Sequence, residues 1–128
     1  MSEKQIVLVV EDQPDIRKLI QMTLDFGDYE VHEADNGLGA LRMLEAVRPN
    51  IVLLDVMMPG ELDGYQVCKR IKSSPEWANT KVVMLTARGQ QSDFEAGRQA
   101  GADKYLTKPF SPIELIGTVE DLLMEADA

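Results

Sequence analysis

Three uninterrupted apolar runs limit what this chain can fold into: Ile6-Val7-Leu8-Val9-Val10, Ile51-Val52-Leu53-Leu54 and Val82-Val83-Met84-Leu85. A strand with one wet face alternates apolar and polar residues, so a run without alternation reads as a strand covered on both sides. Each run stops abruptly at polar chemistry: Glu11-Asp12 after the first, Asp55 after the second, Thr86 after the third. In open α/β sheets, ligands gather outside the carboxyl ends of such strands.

Between the runs the period changes to that of a helix. Pro14 suits a first helical turn, and Ile16, Leu19, Ile20, Thr23 and Leu24 follow on one face until Gly27-Asp28 stops it. Tyr29 to Ala34 alternates, as a partly exposed edge strand does. Asp35 or Asn36 can cap a second helix whose inner face would hold Leu38, Leu41, Leu44 and Val47, broken by Arg48-Pro49-Asn50. Gly64 to Ser73 places Val67, Cys68 and Ile71 on one stripe. A polar connection containing Pro75 and Trp77 leads to the fourth strand. Gln91 to Ala100 is a weaker helix whose main large apolar residue is Phe94, ended by Gly101. Lys104-Tyr105-Leu106 is a short fifth strand, and Lys108-Pro109-Phe110 follows it. Ser111 can cap the last helix, with Pro112 at its first position and Ile113, Ile116, Val119, Leu122 and Leu123 on its core face beside Leu115. Strand–helix alternation with short connections implies right-handed crossovers and a parallel sheet covered on both faces. At 128 residues, with no repeat or linker, the expected architecture is one doubly wound domain spanning 1–128.

Composition narrows the function classes. A net charge of −9 disfavours nucleic acid or anionic membrane as a partner of this domain and suits a cation or a basic surface. The single cysteine, Cys68, cannot form an internal disulfide, no apolar run has membrane-spanning length, and the N-terminus lacks a signal-peptide core; a cytoplasmic setting is expected.

Parallel strands put Glu11, Asp12, Asp55, Thr86 and Lys108 at one sheet edge. If the first and third strands flank the topological switch point, the three acids share a crevice. Carboxylates so close raise one another's pKa unless a cation sits among them, and oxygen donors with room for water favour Mg²⁺ over Ca²⁺. An Asp can act as a nucleophile and become an aspartyl phosphate, with Lys108 and the Thr86 hydroxyl binding phosphoryl oxygens and Ala87 leaving room for the group.

Four motifs then carry a resemblance: Val9-Val10-Glu11-Asp12, Leu53-Leu54-Asp55-Val56-Met57-Met58-Pro59, Leu85-Thr86-Ala87, and Gly101-Ala102-Asp103-Lys104-Tyr105-Leu106-Thr107-Lys108-Pro109-Phe110. Over nearly its whole length the chain resembles a response regulator receiver domain of two-component signalling, of the stand-alone chemotaxis type. The resemblance implies a (βα)5 flavodoxin-like sandwich with parallel strand order 2-1-3-4-5. It implies that Asp55 accepts a phosphoryl group from a histidine kinase or histidine phosphotransfer protein. Asp12, Asp55 and the Met57 carbonyl would bind Mg²⁺, for which Mn²⁺ can substitute, and Glu11 would act largely through water. Thr86 and Tyr105 would be the switch pair, and the Lys108–Pro109 bond would be cis. Output would pass to a downstream protein through the fourth helix, fifth strand and last helix. The domain would be a monomer or weak dimer and would catalyse only its own phosphorylation and dephosphorylation.

One departure concerns the loop Gly60-Glu61-Leu62, a residue longer than the usual form and bordering the pocket. Met57 and Arg88 stand where the family tunes phosphoryl lifetime. His32 reads as a surface residue, Cys68 as helix packing, and most of the seven methionines as core filler. A Mg²⁺-dependent phosphatase with an Asp nucleophile is the enzymatic alternative, but Met57 stands where its second Asp would be. A flavin site lacks its phosphate loop, and a phosphorylation-independent docking module does not need the complete acidic and basic set.

Overall fold

The structure is a computed structural model, described here at residues 4–58, 60, 62–86, 95 and 98–127. Its elements follow the expected alternation: β1 (Gln5–Val10), α1 (Pro14–Leu24), β2 (Tyr29–Ala34), α2 (Gly37–Val47), β3 (Ile51–Asp55), α3 (Gly64–Ser73) and β4 (Lys81–Thr86). The helical residues 95 and 98–100 are designated α4, and β5 (Lys104–Thr107) and α5 (Pro112–Asp127) complete the order. All strand pairs are parallel and the order is β2-β1-β3-β4-β5. Between the first half-turn of the chain's winding and the second, β1 and β3 lie side by side, which is the switch point. Val10 pairs with Leu54, Asp55 with Leu85, and Thr86 with Thr107, so the polar strand ends are level.

Alternation along the central strands separates two cores. Val7, Val9, Ile51, Leu53, Val83 and Leu85 face α1 and α5, while Leu8, Val10, Val52, Leu54, Val82 and Met84 face α2 and α3. Burying such a side chain contributes roughly 1.5–3 kcal/mol. That exceeds the ~1 kcal/mol span of strand propensities, so the layers above and below, more than local preference, hold β3 extended.

Local chemistry sets the helix ends. The Asn36 side chain, and not Asp35, accepts a hydrogen bond from the Gly39 N–H at 2.8 Å. Asp63 and Gln66 form a reciprocal capping box on α3, with 2.9 Å bonds in both directions. Arg48 ends α2 in the left-handed region at φ 48°.

Three expected core positions are corrected. Leu19 and Leu38 are each 46% exposed and Ile113 is 83% exposed. On α2 the buried face is Gly37, Ala40 and Leu44, with Gly37 packed so closely against Leu62 and against Val67 of α3 that a Cβ there would clash, which leaves Leu38 turned outward. On α5 it is centred on Leu115, Val119, Leu122 and Leu123, which leaves Ile113 on the opposite side. Other positions match: Val67, Cys68 and Ile71 are fully buried, β2 is an edge strand, and Trp77 packs half-buried against the α2/α3 core. His32 on that edge pairs with Glu30 at 2.7 Å. Phe94 and most of the 91–100 segment lie outside the described residues.

At the edge of the sheet away from the acids, Lys72 ties three elements together. Its ammonium donates to the Thr80 carbonyl at 2.8 Å and pairs with Asp103 at 2.8 Å, while Asp103 accepts from the Val82 N–H at 2.8 Å. No helix among the described residues is long and apolar enough to cross a membrane.

Candidate functional site

Asp55 closes β3 and is buried. The chain leaves it under tight control: the Val56 N–H continues the ladder to the Leu85 carbonyl at 3.0 Å, and the Met57 N–H donates to Asp55 Oδ1 at 3.3 Å. Behind it, Gly64 at the start of α3 approaches so closely that an added Cβ would lie 2.2 Å from the Asp55 carbonyl oxygen. Only glycine fits there. The Gly64 N–H in turn donates to the Val56 carbonyl at 3.0 Å, so the first turn of α3 clamps the loop that follows Asp55.

The β1 end supplies the neighbouring acids. Glu11 is fully buried and Asp12 half-buried, and one oxygen from each of Glu11, Asp12 and Asp55 can be found within 4.8 Å of the others. Lys108 reaches in from the β5–α5 loop, with Nζ donating to Glu11 Oε1 at 2.5 Å and to Asp55 Oδ1 at 3.2 Å. Its backbone is placed by the Lys108 N–H, which donates to the Thr86 carbonyl at 2.6 Å; the Lys108–Pro109 bond that follows is cis. Thr86 is the buried last residue of β4. Met84, two residues before it on the same face, pairs with Tyr105 of β5, which is half-buried against the α2/α3 core. The sequence-predicted set Glu11, Asp12, Asp55, Thr86 and Lys108 therefore converges at one edge, with Tyr105 one strand away. Met57 lies beside it with an exposed side chain. Pro59, Glu61, Ala87 and Arg88 lie outside the described residues. Leu62 of the longer loop is half-buried, packed against the α2/α3 core and against Gly37.

Burial pushes the Asp55 carboxyl up to about 7, helped by its hydrogen bond to and repulsion from Glu11 and opposed by the Lys108 ammonium. Three carboxyl groups, two of them buried, face one ammonium, which leaves an excess of negative charge when they ionise. A hard divalent cation fits that donor set. Oxygens within 4.8 Å of one another are close enough for one such ion to be shared among them. Both Glu11 oxygens already accept hydrogen bonds, from Lys108 and from the Gln13 N–H at 3.3 Å. That leaves Asp12 and Asp55 as the more available direct ligands.

Two contributors escaped the sequence reading. Gly64 looked like a helix start; the Met-Pro-Gly turn followed by Asp63-Gly64 was its only signal. Arg17 carries no motif that marks it, yet its Nη1 donates to the Glu11 carbonyl at 2.8 Å.

A doubly wound α/β domain with an acidic crevice and a lysine at its switch point defines a class, and the comparisons place the chain within it. The family description "Response regulator receiver domain" matches residues 7–120. The transcriptional regulatory protein ResD of Bacillus subtilis is 41% identical over 120 residues, covering 94% of this chain and 48% of that protein. The chemotaxis response regulator CheY4 of Vibrio cholerae superposes with a TM-score of 0.87 at 30% identity, covering 94% of this chain and 99% of that one. The receiver domain of the sensor histidine kinase PA1611 of Pseudomonas aeruginosa superposes at 0.85 with 32% identity, covering 94% and 98%, and carries a magnesium ion in its active-site cleft. The chain belongs to the response regulator receiver family of two-component systems. It spans about half the length of the curated relatives it matches.

Proposed function

We propose that this domain is a phosphoacceptor switch in which Asp55 takes a phosphoryl group from the phosphohistidine of a sensor histidine kinase or histidine phosphotransfer protein. The observation that carries the reading is Lys108 Nζ bridging Glu11 and Asp55 in a buried pocket with a third carboxylate, Asp12, at its edge. An Asp55 oxygen attacks phosphorus as the phosphorus–nitrogen bond breaks, and the imidazole leaves with the bonding pair. Lys108, already 3.2 Å from Asp55, shifts onto a phosphoryl oxygen as a point charge, and the Thr86 hydroxyl donates to another. Mg²⁺, or Mn²⁺ in its place, would be held by Asp12, Asp55 and the Met57 carbonyl, with Glu11 through water, and would supply charge neutralisation that keeps Asp55 ionised.

Phosphorylation shifts the population between two conformations, with Thr86 drawn toward the phosphate and Tyr105 following on the adjacent strand. The altered surface is that of α4, β5 and α5, read by a downstream protein. The domain acts on no external substrate. Incubation with Mg²⁺ and acetyl phosphate adds one phosphoryl group, lost in Asp55→Ala, by intact-protein mass spectrometry. An unchanged mass, or labelling that persists in Asp55→Ala, overturns the assignment. Sustained hydrolysis of an external phosphomonoester would favour the phosphatase reading instead.

A further inference from the structure

We infer that Arg17, on the first turns of α1, is a positioning residue for the cation pocket, acting through the peptide that joins Glu11 to Asp12. The inference rests on the reading of that pocket as a Mg²⁺ site. Arg17 is anchored by its own helix, its N–H donating to the Gln13 carbonyl at 3.0 Å. Its half-buried guanidinium spans two elements. Nη1 donates to the Glu11 carbonyl at 2.8 Å, and Nε faces Glu33 at the end of β2 at 3.8 Å. The Glu11 N–H is held separately, donating to the Ala34 carbonyl at 3.1 Å. Both backbone groups of Glu11 are thereby fixed, one by β2 and one by α1.

The consequence falls on Asp12. A peptide unit is planar, so the Glu11 carbonyl shares a plane with the Asp12 nitrogen and Cα. A charge-assisted bond to that carbonyl sets the plane from which the Asp12 carboxylate projects into the crevice. Asp12 is the least buried of the three acids, so its side chain is the one least constrained by packing. Arg17 supplies from behind what packing does not. A planar fork that can hold a carbonyl and face a carboxylate together suits this task better than a single ammonium.

Charge alone predicts the opposite result, which makes the inference testable by sign. Acting only through space, a cation beside three carboxylates weakens Mg²⁺ binding, and its removal tightens it. As a positioning group, its removal loosens binding. Outer partners of metal ligands typically cost about 10–100-fold in affinity when removed. Calorimetric Mg²⁺ titrations of the wild type, Arg17→Met, Arg17→Lys and Asp12→Asn at fixed ionic strength read this directly. Expected are a dissociation constant about tenfold or more higher in Arg17→Met, a smaller rise in Arg17→Lys, and the largest in Asp12→Asn. The deficit in acetyl phosphate labelling should close as Mg²⁺ is raised. Circular dichroism and apo-protein melting separate this from a folding defect. If Arg17→Met does not fold, Arg17→Lys decides, and an unchanged midpoint there overturns the inference. Equal or tighter binding in a folded Arg17→Met also overturns it while leaving the phosphoacceptor reading intact. A wild type that binds no Mg²⁺ removes both.

Discussion

Replacing Asp55 by Asn should stabilise the cation-free domain, and by an amount that grows with pH. The Asp55 carboxyl is buried and titrates at about 7, against 3.8 for an ordinary one. The folded state therefore holds this proton more tightly than the unfolded state does. Stability from that proton is complete below about pH 4 and is lost as pH rises through about 7. At 1.36 kcal/mol per pH unit, the span between the two values corresponds to roughly 4 kcal/mol. Asp55 sits between the opposing influences of Glu11 and the Lys108 ammonium, so the effect observable at Asp55 alone is expected at about 2–4 kcal/mol. Asparagine keeps an acceptor for the Met57 N–H and leaves Lys108 its bond to Glu11. Against a total stability of about 5–15 kcal/mol for a domain, the difference is large. Each kcal/mol moves the melting temperature of a domain this size by about 3–5 °C. The melting curves of wild type and Asp55→Asn, recorded without divalent cation, should lie within a few degrees at about pH 5 and separate by roughly 10 °C at about pH 8. A cation that binds only the folded wild type, at about 100 times its dissociation constant, should restore about 2.7 kcal/mol and narrow the gap. A gap independent of pH, or an Asn variant less stable at the higher pH, would refute the reasoning.

Gly64→Ala should destabilise the domain by about 1–3 kcal/mol, as overpacking does. It should also depress acetyl phosphate labelling of Asp55 more than an equally destabilising core substitution such as Val119→Ala, because the clash falls on the Asp55 carbonyl itself. Equal labelling of the two variants would show that the α3 clamp is irrelevant to the site. Cys68 is fully buried, donates to the Ala100 carbonyl, and has a thiol pushed up to about 11 by burial. Its alkylation at neutral pH should proceed at the rate of unfolding and accelerate with urea; rapid native-state labelling would contradict that burial.

Much of the site was legible before any fold was built. Asp55, Glu11, Asp12, Thr86 and Lys108 follow apolar strands or a short fifth strand, and parallel winding brings strand ends to one edge whatever the helices do. Helix faces were less legible. A 3.6-residue period marks an apolar stripe but not its centre, so Leu19, Leu38 and Ile113 were drawn inward, while on α2 Gly37 and Ala40, poor in hydrophobic signal, are buried alongside the expected Leu44. Close approach rewards small residues, which hydrophobicity does not register. The longer loop behind Asp55 was legible as an addition; that Leu62 packs it against Gly37 was not.

The order of elements, the two-sided burial of β1, β3 and β4, and the chemical types at their ends follow from the residues in order along the chain, because these depend on near neighbours in sequence. Tertiary structure alone decided the distances that give those types their properties. The 3.2 Å approach of Lys108 to Asp55, the proton affinity raised by burial beside Glu11, the 2.2 Å limit at Gly64 and the reach of Arg17 to the Glu11 carbonyl all join residues brought together by folding. Coulombic and steric energies depend on separations in space, and a sequence specifies those only once the layers have closed.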